Sequence, residues 1–158
     1  MARAGVIFVV LIVFLLIFSL LALSFGEKQI PQAVYGVKEL QSPSDWVNEN
    51  QIKVYNDKVV LDVPNAVWAQ FTNTNSMDPS FDETSNALEI KPESPYSIRP
   101  GDIIAYKTVY GTIIHRVVDV RSDQEGVYYI VKGDNNSLPD PFKVRYADVE
   151  GVVIAIIY

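Results

Sequence analysis

The sequence predicts a mainly β domain that follows a single N-terminal transmembrane helix. One long apolar segment, Gly5–Phe25, opens the chain of 158 residues. After it come runs rich in Val, Ile and Tyr that are separated by short turn segments, as in antiparallel hairpins. The clearest of these runs are Asp102–Val109, Thr112–Arg121 and Val127–Lys132. No internal repeat or low-complexity tract interrupts the pattern, so one β-rich domain is expected.

The opening segment has the length and composition of a membrane anchor. Gly5–Phe25 contains no charge, and Ser19 and Ser24 are its polar side chains. As a helix it would be about 31 Å long, close to the thickness of a bilayer core. A cleavable signal peptide is the alternative, because Ala22-Leu23-Ser24 resembles a cleavage site. The apolar core is longer than the roughly 7–15 residues typical of cleaved signals, which favours an uncleaved anchor.

Charges beside the anchor predict its orientation and the domain boundaries. Arg3 precedes the apolar segment and Glu27 follows it, so the amino terminus is expected in the cytoplasm. We predict a cytoplasmic tip and transmembrane anchor at residues 1–26 and a linker at residues 27–44. Residues 45–158 are predicted to form an extracytoplasmic β-rich domain.

The first part of this domain is predicted to hold one helical turn and three strands. Asp45–Gln51 is predicted to form the turn, and a hairpin is predicted from Ile52–Tyr55 and Lys58–Val63, joined at Asn56-Asp57. Ala66–Thr72 is a further aromatic-rich strand. The next segment, Pro79–Pro100, holds many prolines and polar residues, so it is predicted to be an irregular loop with one short strand at Leu88–Lys91.

The second part is predicted to be a meander of the three Val/Ile/Tyr-rich strands. Turns are predicted at Tyr110-Gly111 and Ser122–Gly126. A helical turn at Tyr146–Glu150 and a closing strand at Val152–Tyr158 complete the expected order of elements.

Composition excludes several classes of function. The formal charge is −6, and Lys and Arg do not cluster, which argues against a nucleic-acid surface. The chain has no cysteine, so disulfides and thiolate metal sites are excluded.

A serine and the single histidine of the chain suggest nucleophilic catalysis. Ser76 follows a predicted strand in Asn75-Ser76-Met77-Asp78-Pro79, and His115 lies in a predicted strand. A serine hydroxyl needs a base to become a nucleophile, and imidazole is a suitable base near neutral pH. His115 is the sole candidate for such a base. The competing interpretations are an ordinary serine turn and a hydrogen-bonded core histidine.

Two carboxylates lie six positions apart in the segment Lys132–Asp140. Either Asp134 or Asp140 could fix the tautomer of the imidazole, and the spacing does not decide between them. A polar turn is one alternative. A calcium loop is another, but the segment lacks the sharp-turn glycine and terminal glutamate of the helix-loop-helix motif. For the oxyanion, the amide of Ser76 is the obvious donor, and the hydroxyl of Thr74 could add a second.

Taken together, these segments resemble the type I signal peptidases of the archaeal and endoplasmic-reticulum branch. The resemblance covers the anchor and four motifs in family order: Ser76–Pro79, Arg99–Ile104, Ile114–Val117 and Lys132–Asn136 followed by Asp140. It implies a signal-peptidase-like β-rich catalytic domain. One departure is the segment Asp82–Ile98, which is longer than the compact link in many relatives.

The resemblance assigns roles to the candidate residues. It makes Ser76 the nucleophile and His115 the general base, where the bacterial branch has lysine. Asp140 becomes the orienting acid and Asp134 a supporting carboxylate of the same loop. Thr74 matches the position of an oxyanion-hole hydroxyl in bacterial relatives, beside the Ser76 amide. Substrate binding is assigned to Met77, which would line the cleft.

The function implied is removal of signal peptides from exported precursor proteins at the outer membrane surface. The resemblance requires no metal or organic cofactor. The expected partners are precursor proteins and the lipid bilayer, with no nucleic acid, and the sequence leaves translocon or accessory subunits undetermined. The substrate would present small side chains at the first and third positions before the scissile bond, in extended form against a strand edge.

Three alternatives stand beside this hypothesis. The first is a related serine-dependent membrane peptidase with a restricted substrate. The second is a membrane-tethered binding or assembly domain with inactive motifs, against which the intact Ser76, His115 and Asp140 argue. The third is a soluble self-cleaving repressor-like relative, although such proteins use a lysine base and lack an anchor.

Overall fold

The computed structural model of the protein describes residues 39–158. The predicted cytoplasmic tip, the transmembrane anchor and the linker up to residue 38 lie outside the described residues. Within residues 39–158, no helix combines the length and the apolar character needed to cross a bilayer.

Nine strands and two short 3₁₀ turns make up the described chain, and the prediction of a mainly β class is confirmed. The strands are β1 (Ile52–Val54), β2 (Val59–Leu61), β3 (Val67–Gln70), β4 (Asn86–Ile90), β5 (Ile103–Thr108), β6 (Gly111–Asp123), β7 (Gly126–Lys132), β8 (Val144–Arg145) and β9 (Val149–Ile157). The 3₁₀ turns are Glu49–Gln51 and Tyr146–Asp148, within the two segments predicted to form helical turns.

Two antiparallel sheets result from the pairing of these strands. β1 and β2 form the predicted hairpin as a sheet of their own. The other strands form a seven-stranded sheet in the order β3-β4-β9-β5-β6-β7-β8. Strands β5, β6 and β7 form the predicted meander. The short strand β8 extends it and was missed by sequence reasoning. The closing strand β9 inserts between β4 and β5, so the end of the chain holds the two halves of the sheet together.

The β5–β6 hairpin turns one residue earlier than predicted. Thr108 pairs with Gly111, which places Val109 and Tyr110 in the turn instead of Tyr110-Gly111. Gly111 has a φ of 115°, a backbone conformation that glycine adopts without a steric cost. Moving the turn by one residue changes each pairing by two positions, so the same side chains of β5 and β6 share a face with either turn.

Strand β4 is the largest difference from the predicted elements. The segment Pro79–Pro100 was expected to be an irregular loop with a short strand at Leu88–Lys91. The strand begins two residues earlier, at Asn86, and pairs with β3 on one side and β9 on the other. Both edges of β4 are therefore paired, and its residue Glu89 is buried in the domain.

The seven-stranded sheet carries an apolar cluster on each face. Neighbouring residues of one strand alternate between the clusters, as Ile103 and Ile104 do on β5 and Val152 and Val153 on β9. The first cluster consists of Ile98, Ile104, Tyr106, Val117, Tyr129, Val131, Val144, Val149 and Val152. The second cluster consists of Met77, Phe81, Ala87, Ile103 and Val153. The turn that contains Ser76 therefore covers the second face of the sheet.

Candidate active site

The Ser76 turn connects β3 to β4 and is held by two apolar anchors. Met77 and Phe81 are buried in the second cluster, and the ring of Phe81 stacks on that of Phe71 with centroids 4.3 Å apart. The Met77 carbonyl accepts a hydrogen bond of 2.8 Å from the Ser80 amide. Ser76 precedes the first anchor, so its hydroxyl stays at the rim while Met77 and Phe81 are fixed in the core.

A second loop, which follows β7, rests directly on the Ser76 turn. The Asn135 amide donates a hydrogen bond of 3.0 Å to the Ser76 carbonyl, and its side-chain amide donates one of 2.9 Å to the Asn75 carbonyl. A Cβ atom at Gly133 would lie 2.5 Å from the Ser76 carbonyl oxygen. Glycine at position 133 therefore permits the close contact between the two loops.

The same loop brings Asp140 to the single histidine. The His115 Nδ1 atom lies 2.9 Å from the Asp140 Oδ2 atom, and their side chains are only 8% and 9% exposed. The Asp140 amide donates a hydrogen bond of 2.9 Å to the Val131 carbonyl. With Nδ1–H donating to this carboxylate, the other ring nitrogen of a neutral imidazole is free of its proton and can act as a base.

Tyr106 completes this buried group. Its hydroxyl donates a hydrogen bond to Asp140 and lies 3.4 Å from the His115 Nδ1 atom. Burial raises the pKa of Asp140, but the hydrogen bonds from His115 and Tyr106 outweigh it and lower the pKa below its ordinary value. Burial and the Asp140 carboxylate together raise the pKa of Tyr106 far above its ordinary value, so the phenol stays neutral.

Asp134 has different partners from Asp140. The Arg116 guanidinium donates to both of its oxygens, with Nε–Oδ1 of 2.8 Å and Nη2–Oδ2 of 2.7 Å. The Ser80 hydroxyl adds a hydrogen bond of 2.6 Å, and the Asp134 side chain is 1% exposed. Burial opposes ionisation, but these bonds lower the pKa of Asp134 below its ordinary value. The predicted supporting carboxylate therefore acts on the loop through Arg116.

Arg116 links this pair to two further segments. Its Nη1 atom donates to the carbonyls of Gly101, at 2.9 Å, and Gln41, at 3.1 Å. Gln41 belongs to the described end of the predicted linker, residues 39–44. The loop before β5, the lead-in to the domain and the loop after β7 thus meet at one guanidinium.

Most of the predicted site residues line a single cleft of about 850 Å³. The four that do so are Thr74, Ser76, Met77 and His115. The Thr74 and Ser76 side-chain oxygens lie 3.1 Å apart, so a hydroxyl flanks the predicted nucleophile. Asp140 contacts His115, Asp134 is bound by Arg116, and within residues 39–158 the side-chain partner of the Ser76 hydroxyl is Thr74 and not His115.

One wall of the cleft is a strand edge. Residues 112–115 of β6 line it, together with Val67, Ala69 and Gln70 of β3. Pairing between β6 and β7 begins at Arg116 with Lys132, so residues 112–115 have β5 on one side and no strand on the other within residues 39–158. An extended peptide can pair with this open edge.

Several residues of this region were missed by sequence reasoning. Tyr106 could have been found from the predicted hairpin, because its register puts Tyr106 and His115 on the same face. Arg116 was noted in its motif but received no role, although it directly follows His115. Glu89 lines the cleft from β4, in a segment predicted to be mostly loop. No local pattern indicated its burial.

The geometry also weighs on the calcium alternative. Both oxygens of Asp134 are engaged by Arg116 and Ser80, and Asp140 faces His115. Among residues 39–158, no group of three or more His, Asp or Glu side chains is placed to hold a metal ion.

Comparison with known proteins supports the resemblance drawn from the motifs. No protein-family model matches the chain. In an alignment of 92 positions that covers 52% of the chain, it is 33% identical to the signal peptidase complex catalytic subunit sec11 of Schizosaccharomyces pombe. The chain is a partial homologue of a signal peptidase catalytic subunit. The match covers 48% of that protein, so the chain spans about half the length of the curated relative it matches. The resemblance to signal peptidases is confirmed by this similarity.

Proposed function

We propose that the chain is a membrane-anchored serine endopeptidase that cleaves N-terminal signal peptides from exported precursor proteins. The observation that carries the proposal is the buried His115–Asp140 pair, 2.9 Å apart, whose histidine lines the cleft that also holds Ser76. The similarity to a signal peptidase catalytic subunit supports the choice of substrate.

In the proposed mechanism Ser76 attacks the scissile carbonyl while His115 takes its proton. Asp140 stabilises the imidazolium that forms and holds the ring in one tautomer. His115 then gives this proton to the leaving amine, and an acyl-enzyme on Ser76 remains. Water attacks the ester, with His115 again acting first as base and then as acid, which releases the new carboxylate and restores the hydroxyl.

The oxyanion is assigned to two donors near the nucleophile. The Ser76 amide is the first, and the Thr74 hydroxyl, 3.1 Å from the Ser76 hydroxyl, is the second. Donors that are in place before the reaction stabilise the developing charge without reorganisation.

The substrate binds as an extended strand along residues 112–115 of β6. Main-chain hydrogen bonds to this open edge hold the peptide, and side chains at alternate positions point into the cleft. Met77, buried beneath the Ser76 turn, lines the cleft where small side chains at the first and third positions before the scissile bond are expected. The reaction needs no metal or organic cofactor.

The predicted anchor at residues 5–25 places the enzyme in the membrane, with the amino terminus cytoplasmic and the domain on the extracytoplasmic side. The cleft then lies near the membrane surface, where the cleavage region of a translocated precursor emerges. Because the relative is named as the subunit of a complex, the proposal includes partner subunits. It includes no nucleic-acid partner.

The test uses the full chain in proteoliposomes with a membrane-inserted precursor. We expect Ser76→Ala and His115→Ala each to lower the rate by about 10⁴-fold or more, because both residues take part in the same proton transfer. Thermal unfolding should show that both variants stay folded. Ser122→Ala, at an exposed position of β6, is the matched control and should cleave normally. Near-normal cleavage by His115→Ala would contradict the mechanism.

A further inference from the structure

A buried carboxyl group lies on the floor of the same cleft. Glu89 is on β4 and only 7% exposed, and it lines the cleft with Ala105 of β5. Ala105 pairs with Gly151 of β9. A Cβ atom at position 151 would lie 2.9 Å from both Cβ and Oε2 of Glu89. Gly151 thus leaves the space that the Glu89 side chain occupies.

The carboxyl group of Glu89 has an unsatisfied oxygen. Among the residues from 39 to 158, Glu89 Oε1 is the one buried side-chain N or O atom without a hydrogen-bond partner. Burial, followed by the negative charge of Glu150, raises the pKa of Glu89 to about 7. A buried acceptor without a donor is costly, so a donor supplied by a bound peptide would remove an existing penalty.

The charges around the cleft favour a positively charged donor. Three acidic residues line it, Asp82, Glu89 and Glu150, against one lysine, Lys91. Lys91 donates a hydrogen bond to the Val149 carbonyl at the base of β9. Glu150 is paired with Lys107, 3.1 Å away, and its carboxylate still acts on Glu89 as a like charge.

We propose that Glu89 is a specificity-determining residue that receives a lysine or arginine side chain of the bound peptide. This inference rests on the proposed function, and it adds a basic position to the small positions nearest the scissile bond. A long basic side chain can approach Glu89 through the cleft, because the neighbouring lining residue Ala105 has only a methyl side chain. An ammonium or guanidinium group would satisfy Oε1 and favour the ionised carboxylate.

The experiment measures binding of short peptides to the full Ser76→Ala chain in detergent micelles. Each peptide has alanine at the first and third positions before the scissile bond and one lysine at another position. Its partner peptide carries acetyl-lysine there, which keeps most of the stem and removes the charge. At one position we expect the lysine peptide to bind about tenfold tighter or more, the range for a hydrogen bond between charged groups.

The role of Glu89 is tested by adding a second substitution to the Ser76→Ala chain. With Glu89→Gln, which has the same shape and no charge, the ratio of the two affinities should fall to near one. The control Glu93→Gln, at an exposed position after β4, should keep the ratio. The inference is overturned if no position prefers lysine over acetyl-lysine, or if the preference persists in Glu89→Gln.

Cleavage by the chain with Ser76 intact separates this inference from the proposed function. Ser76-dependent cleavage of a precursor without any Glu89-dependent preference would overturn the inference alone. A Glu89-dependent preference in binding, with no cleavage that requires Ser76, would overturn the proposed function and leave a peptide-binding cleft with a basic subsite.

Discussion

The two carboxylates of the loop after β7 lie close together in sequence but bind different side chains. Asp134 and Asp140 are six residues apart, both have buried side chains, and both have pKa values below the ordinary value. Asp134 is held by Arg116, whose charge is permanent. Asp140 is held by His115, whose charge can change during a reaction.

The difference shows how one short loop can combine rigidity with chemistry. The guanidinium binds Asp134 through two parallel hydrogen bonds and fixes the first half of the loop. The second half then presents Asp140 to an imidazole that can accept and release a proton. A permanent ion pair at both positions would leave no group to transfer protons.

The largest expected effect concerns the rate of precursor cleavage. Asp140→Asn should lower the rate by about 10³–10⁴-fold, because an amide no longer stabilises the imidazolium or selects the tautomer. Asp134→Asn, assayed at a temperature where it remains folded, should lower the rate far less. Initial rates on one precursor give the comparison, and the reverse ranking would assign the orienting role to Asp134.

The next effect concerns stability and should fall on the other carboxylate. Arg116→Gln leaves the buried charge of Asp134 without its cation, so we expect a loss of about 3–5 kcal/mol in the free energy of unfolding. Urea titration of the domain measures it. The exposed pair Arg121–Asp119 supplies the control, because Arg121→Gln should cost less than about 1 kcal/mol. Equal losses in the two variants would contradict a stabilising role of Arg116 at the buried Asp134 carboxylate.

The smallest effect is a change in the acid limb of stability. The pKa of Asp134 is below its ordinary value of 3.8 in the folded protein, so its contribution is present above that value and lost as the pH falls through the folded pKa. The unfolding free energy of the native chain should therefore fall more steeply below about pH 4 than that of Asp134→Asn. Parallel curves for the two proteins would contradict this assignment.

Local pattern was sufficient for much of the fold. Strands β5, β6 and β7 were predicted because Val, Ile and Tyr recur in runs bounded by turn residues. The extent of β4 was not, since it depends on pairing with β3 on one side and β9 on the other. The position of β9 between β4 and β5 is a long-range pairing that no local periodicity reports.

The candidate site divides in the same way. Ser76 and His115 could be proposed from residue chemistry, because the chain offers one histidine. The choice between Asp134 and Asp140 could not be made from spacing, because it depends on Arg116, which is distant in sequence and lies on β6. In the sequence, Glu89 resembles an ordinary polar residue. Only the fold shows that it is buried and that one of its carboxyl oxygens has no hydrogen-bond partner.

The absence of a side chain at Gly133 keeps two segments of the candidate site in direct contact. The Ser76 carbonyl oxygen lies 2.5 Å from where a Cβ atom would be, so the segment with the proposed nucleophile and the segment with the proposed orienting acid touch without an intervening group. A side chain at position 133 would have to push the two segments apart, which would change the distance between the Ser76 hydroxyl and the Asp140 carboxylate.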